Sequence, residues 1–226
     1  MVPAKRMKAK KKTCPRLVPI TAEQSFCELD ESLAKTGTKL EELPNFLGIM
    51  AHSPAALKAC LLFEQALGQG RLTPQQREQI ALAVAEINGC SYSLSMHCAQ
   101  SRNLGMSEEE IRRARKATGA NPQIRAMLRF AQAIVLQRGE ISTGEFQALR
   151  STGFTDAQII EIITIIGLNI FTNYFNITVC TEVDFPLVMP GMEAPNPVNI
   201  RPQDATPDTP RTVNGENHRT SPMKFL

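Results

Sequence analysis

The sequence predicts an all-α fold, a bundle of about eight helices, on three observations. Helix-start signals recur along the whole body of the chain. Alternation at the strand period is absent over any useful length. Aromatic residues are few, 5% of 226.

The elements follow from that punctuation. Thr21 with Gln24 forms a capping box ahead of a helix to about Lys35. Ser53-Pro54 reads as an N-cap followed by proline at the first helical position, opening a helix to about Gly68. Thr73-Pro74 repeats the device with Gln76 at the capping-box position, and Asn88-Gly89 stops the helix. That helix carries Ile80, Leu82, Ala83, Val84 and Ile87, a broad apolar face. The next runs from near Cys90 to about Asn103 and ends at Leu104-Gly105.

Ser107 with Glu110 opens a short basic helix that turns Ile111 and Ala114 inward. Asn121-Pro122 opens a long one through Met127, Phe130, Ile134 and Val135, closed by Gly139. Ser142 with Glu145, and Thr155 with Gln158, open the last two. The final helix, Asp156 to about Glu182, is apolar all round, which predicts burial on every side. In a domain this small such burial calls for a second subunit, so a homo-oligomer is expected.

Composition divides the chain into a basic tail (1–19), one helical domain (20–188) and a tail rich in Pro, Asn and Thr (189–226). Seven of the first 16 residues are Lys or Arg, and none is acidic. Neither tail offers enough apolar surface to offset its ordering entropy, so both are expected to be disordered. The net charge of +3 comes largely from the first tail. A near-neutral body argues against a nucleic-acid-binding face on the domain. The lysine run itself could contact nucleic acid or anionic lipid or act as an import signal, and a solvated arm is the blander reading.

No apolar stretch follows the basic residues as in a secretory signal. Six cysteines lack framework spacing, which predicts free thiols in a reducing, cytoplasmic setting. No Cys-x2-Cys pair suggests zinc, and neither metal nor cofactor is expected. The run Ile159–Ile170, interrupted by Glu161 and Thr164, is too short to span a bilayer.

The candidate chemistry lies in Glu78, eleven residues, Cys90, two residues, Ser93, three residues, His97. At helical spacing Cys90, Ser93 and His97 share one helix face, and Ser93 and His97 are one turn apart. Cys90 follows the Gly89 break, where free amides and the helix dipole favour a thiolate. Glu78, one helix earlier, is placed to return alongside and orient or charge the histidine. A low-pKa thiol with a proton relay is suited to attack peroxides or disulfides. Read from spacing alone, Cys90 could equally be a buried inert thiol and His97 a satisfied neighbour.

The segment REQIALAVAEINGCSYSLSMHCAQSRNLGMSEEEI closely resembles the core of the alkylhydroperoxidase AhpD and carboxymuconolactone decarboxylase family. The resemblance extends from roughly Leu43 to Pro186, and the late run Asn169-Ile-Phe-Thr-Asn-Tyr-Phe-Asn176 is similar to peroxidase-related members. It implies an AhpD-like bundle, commonly a trimer or hexamer, acting on small hydroperoxides with a thiol protein or small dithiol as reductant. It also implies Glu78 and His97 as proton relay and Cys90 as one redox thiol. The family's second thiol, usually assigned the attack on peroxide, falls on Ser93, which cannot form a sulfenic acid or a disulfide. Many relatives have His where Ile177 stands. Cys98 cannot substitute, because eight residues of helix put it about 12 Å from Cys90, and a disulfide needs Cα atoms within about 7 Å. Tyr92 could bring a hydroxyl to the site or simply pack.

Three functions are thus expected to compete: a thiol-dependent peroxidase with reduced or trapped activity, a non-redox decarboxylase-like enzyme using Glu78 and His97, and a silent scaffold.

Overall fold

The computed structural model describes residues 15–21 and 43–191. Among them are eight α-helices and no strand. They are α1 (Asn45–Met50), α2 (Pro54–Gly68), α3 (Pro74–Asn88), α4 (Ser91–Asn103), α5 (Glu108–Arg115), α6 (Pro122–Leu136), α7 (Thr143–Arg150) and α8 (Asp156–Val179). The helix expected after Thr21, residues 1–14 of the basic tail and residues 192–226 of the second tail lie outside the described residues.

The start signals act as expected. Ser53 and Asn121 cap α2 and α6 by accepting from Ala56 and Ile124 amides. Reciprocal capping boxes form at Thr73/Gln76, Ser107/Glu110, Ser142/Glu145 and Thr155/Gln158. Each capping side chain is worth about 1 kcal/mol of helix stability.

α3 is the centre of the bundle, packed against α4, α5, α6 and α8. Six consecutive residues, Ile80 to Ala85, are buried. Only a helix covered on all sides can carry such a run. Its neighbours Leu94, Met127, Leu128, Ile159 and Ile162 complete the main core. Each such aliphatic side chain contributes about 1.5–3 kcal/mol through burial.

A second, smaller core joins Ile20, α1, Leu57 and Cys60 of α2 to Cys90, Tyr92 and Met96. Tyr92 is a packing residue here. Its ring meets Phe46 and Phe185 edge-on, and its hydroxyl accepts the Phe46 amide at 3.2 Å. Composition places residues 15–19 in the basic tail, yet this segment docks on the bundle. The Arg16 amide donates to Val179 O and its guanidinium to Thr178 O, while His52 Nε2 meets Val18 O at 3.0 Å.

α8 departs from expectation in three ways. It stops at Val179, where Cys180 takes a left-handed conformation, rather than near Glu182. Its 24 residues are long and apolar enough, by length and composition, to cross a membrane, although half of the apolar window is buried within the bundle. It is also not buried all round. Ile160, Ile163, Phe171, Tyr174 and Ile177 are exposed on the chain taken alone, Ile160 at 64%. The opposite face carries Ile159, Ile162, Ile166, Asn169, Asn173 and Asn176 inward. Glu161, which breaks the apolar run, accepts the Arg71 and Leu72 amides and so ties α8 to the α2–α3 turn.

Candidate active site

The site begins with a turn. Gly89 takes φ 68°, ψ 30°, the left-handed region that costs a residue with a Cβ about 1 kcal/mol or more. A Cβ built there would meet nothing within 4 Å, so backbone conformation alone asks for glycine. The turn leaves Cys90 as N-cap of α4 in an extended conformation, not within the helix. The thiol therefore meets Ser93, as spacing suggests, from the N-cap position and not from a helical turn. It folds over the first turn, where Sγ accepts the Ser93 amide at 3.5 Å.

Around that thiol the partners are neutral. Ser93 Oγ lies 3.2 Å from Cys90 Sγ and accepts from Asn176 Nδ2 at 3.4 Å. Asn176 Oδ1 in turn accepts from Thr181 Oγ1 at 2.7 Å. One turn back on α8, Asn173 Oδ1 accepts from Asn88 Nδ2 at 3.1 Å. Cys90 is 1% exposed, and burial pushes its thiol above the ordinary value. Hydrogen bonds from the Ser93 side chain and the Ser93 and Tyr92 amides oppose the shift without cancelling it. The expected low-pKa thiol is not what this fold builds: desolvation of the charged form outweighs the helix N-terminus.

A second group of residues carries the charge. His97 Nδ1 bonds Glu78 Oε2 at 2.9 Å, joining α4 to α3. Burial works against a charged imidazole, but the Glu78 carboxylate, with Glu64 and Gln100, raises the His97 pKa overall. Glu64, on α2, belongs to the same group. Burial foremost pushes its carboxyl up to about 7, with His97 pulling it down and Glu78 pushing it further up. Cys60, one turn before Glu64, is pushed up to about 12 by burial and by the Glu64 charge.

The structure thus brings together Glu78 with His97, and Cys90 with Ser93. Among the described residues no hydrogen bond joins His97 to Cys90 or to Ser93. Cys98 sits in the main core while Cys90 sits in the smaller one, and burial pushes its thiol up to about 11. Cys60, Cys90 and Cys98 are free thiols. Among the described residues no group of three His, Cys, Asp or Glu is arranged to hold a metal.

Glu64, Asn173 and Asn176 are not singled out as site residues by the sequence reading. An acid one turn past a cysteine and set directly after Leu61, Leu62 and Phe63 is the available signal for Glu64. For the asparagines the signal is three amides, Asn169, Asn173 and Asn176, in an otherwise apolar helix. Unpaired amides in a buried helix are costly, so they mark an internal polar seam.

Residues 54–133 match the model of the carboxymuconolactone decarboxylase family. No curated protein matches the chain. Among solved structures, a peroxidase-related protein from Silicibacter sp. TM1040 is 27% identical with a TM-score of 0.59, covering 70% of this chain and 87% of that one. An alkylhydroperoxidase AhpD core, a peroxidase-related protein from Ralstonia eutropha JMP134, is 26% identical with a TM-score of 0.59, covering 69% and 83%. The debrominase Bmp8 shares the fold at 19% identity, with a TM-score of 0.63 over 74% and 91%.

Proposed function

We infer that this chain, with a carboxymuconolactone decarboxylase family segment and an AhpD-like fold, is a thiol-dependent peroxidase using Cys90. The observation that carries the reading is the Glu78–His97 bond of 2.9 Å, formed one turn beyond a hydrogen-bonded Cys90–Ser93 pair. The peroxidase-related structures above 25% identity support the same class.

The Cys90 thiol proton passes to the Ser93 hydroxyl, and the Glu78–His97 pair, one turn further along α4, is the acid–base group that takes it up when His97 is neutral. The thiolate attacks the outer oxygen of a small hydroperoxide, forming an S–O bond as the O–O bond breaks. The leaving oxygen takes a proton back by the same route, giving an alcohol or water and a Cys90 sulfenic acid. An external thiol condenses with that acid, releasing water, and a second thiol frees Cys90 as the disulfide of the reductant departs. Ser93 carries protons but no redox equivalent, so the second thiol of the cycle comes from the reductant. With Cys90 buried and its thiol protonated, turnover is slower than in a two-thiol relative. The exposed apolar face of α8 is assigned to a second copy of the chain, and the free thiols to a reducing compartment.

A second reading has its own observation in the separation of the charged group from the thiol. Glu78 and His97 would then do acid–base work on a small carboxylated substrate in the decarboxylase manner, with Cys90 a packing residue. Activity that ignores Cys90→Ala but collapses with His97→Ala selects it. Activity lost with Cys90→Ala, together with a trapped sulfenic acid at Cys90, selects the peroxidase. Unchanged behaviour after both substitutions leaves a scaffold.

A further inference from the structure

Asn173 is fully buried, yet its side-chain Nδ2 has no partner among the described residues. A buried amide left unpaired costs about 1–3 kcal/mol, so such a donor in a native fold calls for an explanation. Its surroundings supply one. The Asn173 carbonyl is held by Asn88, two residues before Cys90, at 3.1 Å. Asn176, on the next turn of the same face, reaches Ser93 at 3.4 Å, and Ser93 reaches the Cys90 thiol at 3.2 Å. The two carboxamides therefore line the side of α8 that packs against the α3–α4 turn, where the thiol sits. The charged residues Glu64, Glu78 and His97 lie in the other group.

We propose that the Asn173 amide is a catalytic donor to the oxygen that leaves when Cys90 attacks a hydroperoxide, with Asn176 holding Ser93 as the proton carrier beside it. The proposal rests on the peroxidase reading and adds to it the group that stabilises the developing charge. In the step, the Cys90 sulfur gains the outer oxygen, and the electron pair of the O–O bond passes to the inner oxygen. That oxygen accepts the Asn173 N–H hydrogen bond while its proton arrives through Ser93. A fixed neutral donor in a water-poor site suits a developing oxyanion because it needs no reorganisation as charge appears.

The test compares two reactions of the same thiol in the full-length chain. Oxidation of Cys90 by hydrogen peroxide builds charge on a leaving oxygen. Alkylation by iodoacetamide sends the leaving charge to a large iodide, a weak hydrogen-bond acceptor, and none to an oxygen. Asn173→Ala should slow the first on the order of 10²-fold, the scale of a lost oxyanion donor, and leave the second close to wild type. Asn173→Asp, which keeps the carbonyl partner for Asn88 and removes the free N–H, should slow peroxide oxidation as well. Asn88→Ala frees the amide from its tether and should give a smaller loss in the same reaction. Equal slowing of both reactions marks a packing role and overturns the proposal, as does an unchanged peroxide rate. A wild-type thiol that alkylates but is never oxidised by peroxide removes the peroxidase reading itself, and this inference with it.

Discussion

The two halves of this site share α4 but are built on different physical terms. The thiol half consists of Cys90, Ser93, Asn176 and Thr181, linked by hydrogen bonds between uncharged groups. The acid–base half gathers Glu64, Glu78 and His97 from α2, α3 and α4 around one short carboxylate–imidazole bond. Burial acts on both with opposite results. In the acid–base half the charges offset one another's desolvation and hold His97 toward its protonated form. In the thiol half nothing charged answers Cys90, so burial keeps it a thiol. The difference teaches that helical spacing places reactive side chains near one another without setting their ionisation, which depends on what each is buried against.

Breaking the acid–base half should produce the largest effect. His97→Ala is expected to lower peroxide turnover by about 10²–10⁴-fold, the range for a lost acid–base group, and to slow Cys90 alkylation as well, since both reactions draw on the thiolate. Steady-state peroxide consumption beside iodoacetamide labelling checks this. Supplying sulfur to the thiol half should work in the other direction. Ser93→Cys places a second thiol where Oγ now lies 3.2 Å from Cys90 Sγ, and should raise turnover with a dithiol reductant at least about ten-fold. Non-reducing peptide mapping should then find a disulfide between Cys90 and the introduced thiol after peroxide.

The charged half also predicts a pH dependence of stability. Glu64 titrates at about 7 in the fold against 4.5 unfolded, so through that window the native state binds the extra proton. Stability from this group is present below about 4.5 and is lost as pH rises toward 7. His97, raised above 6.5, adds a loss of the same sign as pH rises through its folded value. Glu64→Gln should flatten the decline between pH 4.5 and 7 and raise the melting midpoint at pH 8 by a few degrees. A thermal melt series would contradict this if wild type and variant ran parallel. The smallest effect belongs to the turn joining the halves: Gly89→Ala should cost about 1 kcal/mol, read from chemical denaturation, with no new steric contact.

Much of the fold was legible because its signals are local. A Thr-x-x-Gln or Ser-x-x-Glu box depends on four residues, and each one expected within the described residues closes in the structure. The Glu78–His97 pair was legible for a similar reason, since two helices joined by Asn88-Gly89 must fold back alongside each other. Glu64 was not, because its place beside His97 depends on how α2 packs, and no short-range pattern encodes that. The same holds for residues 15–19, which look like solvated tail until Val18 and Arg16 find partners on His52 and Val179. The apolar sequence of α8 correctly marked a core helix, but it could not say which flank faces α3 and which stays uncovered on a single chain. The pKa of Cys90 is also a tertiary property, set by the Phe46–Tyr92 core packed around it.

Peroxide oxidation of Cys90 within this buried network is the step on which the proposed activity depends. The direct measurement is the mass of the Cys90 peptide after hydrogen peroxide and a sulfenic-acid trap, in wild type and in His97→Ala. A trapped adduct at Cys90 in the wild type, strongly reduced in the variant and absent at Cys60 and Cys98, is the predicted result. No adduct or mixed disulfide at Cys90 at any peroxide dose that leaves the protein folded would contradict it.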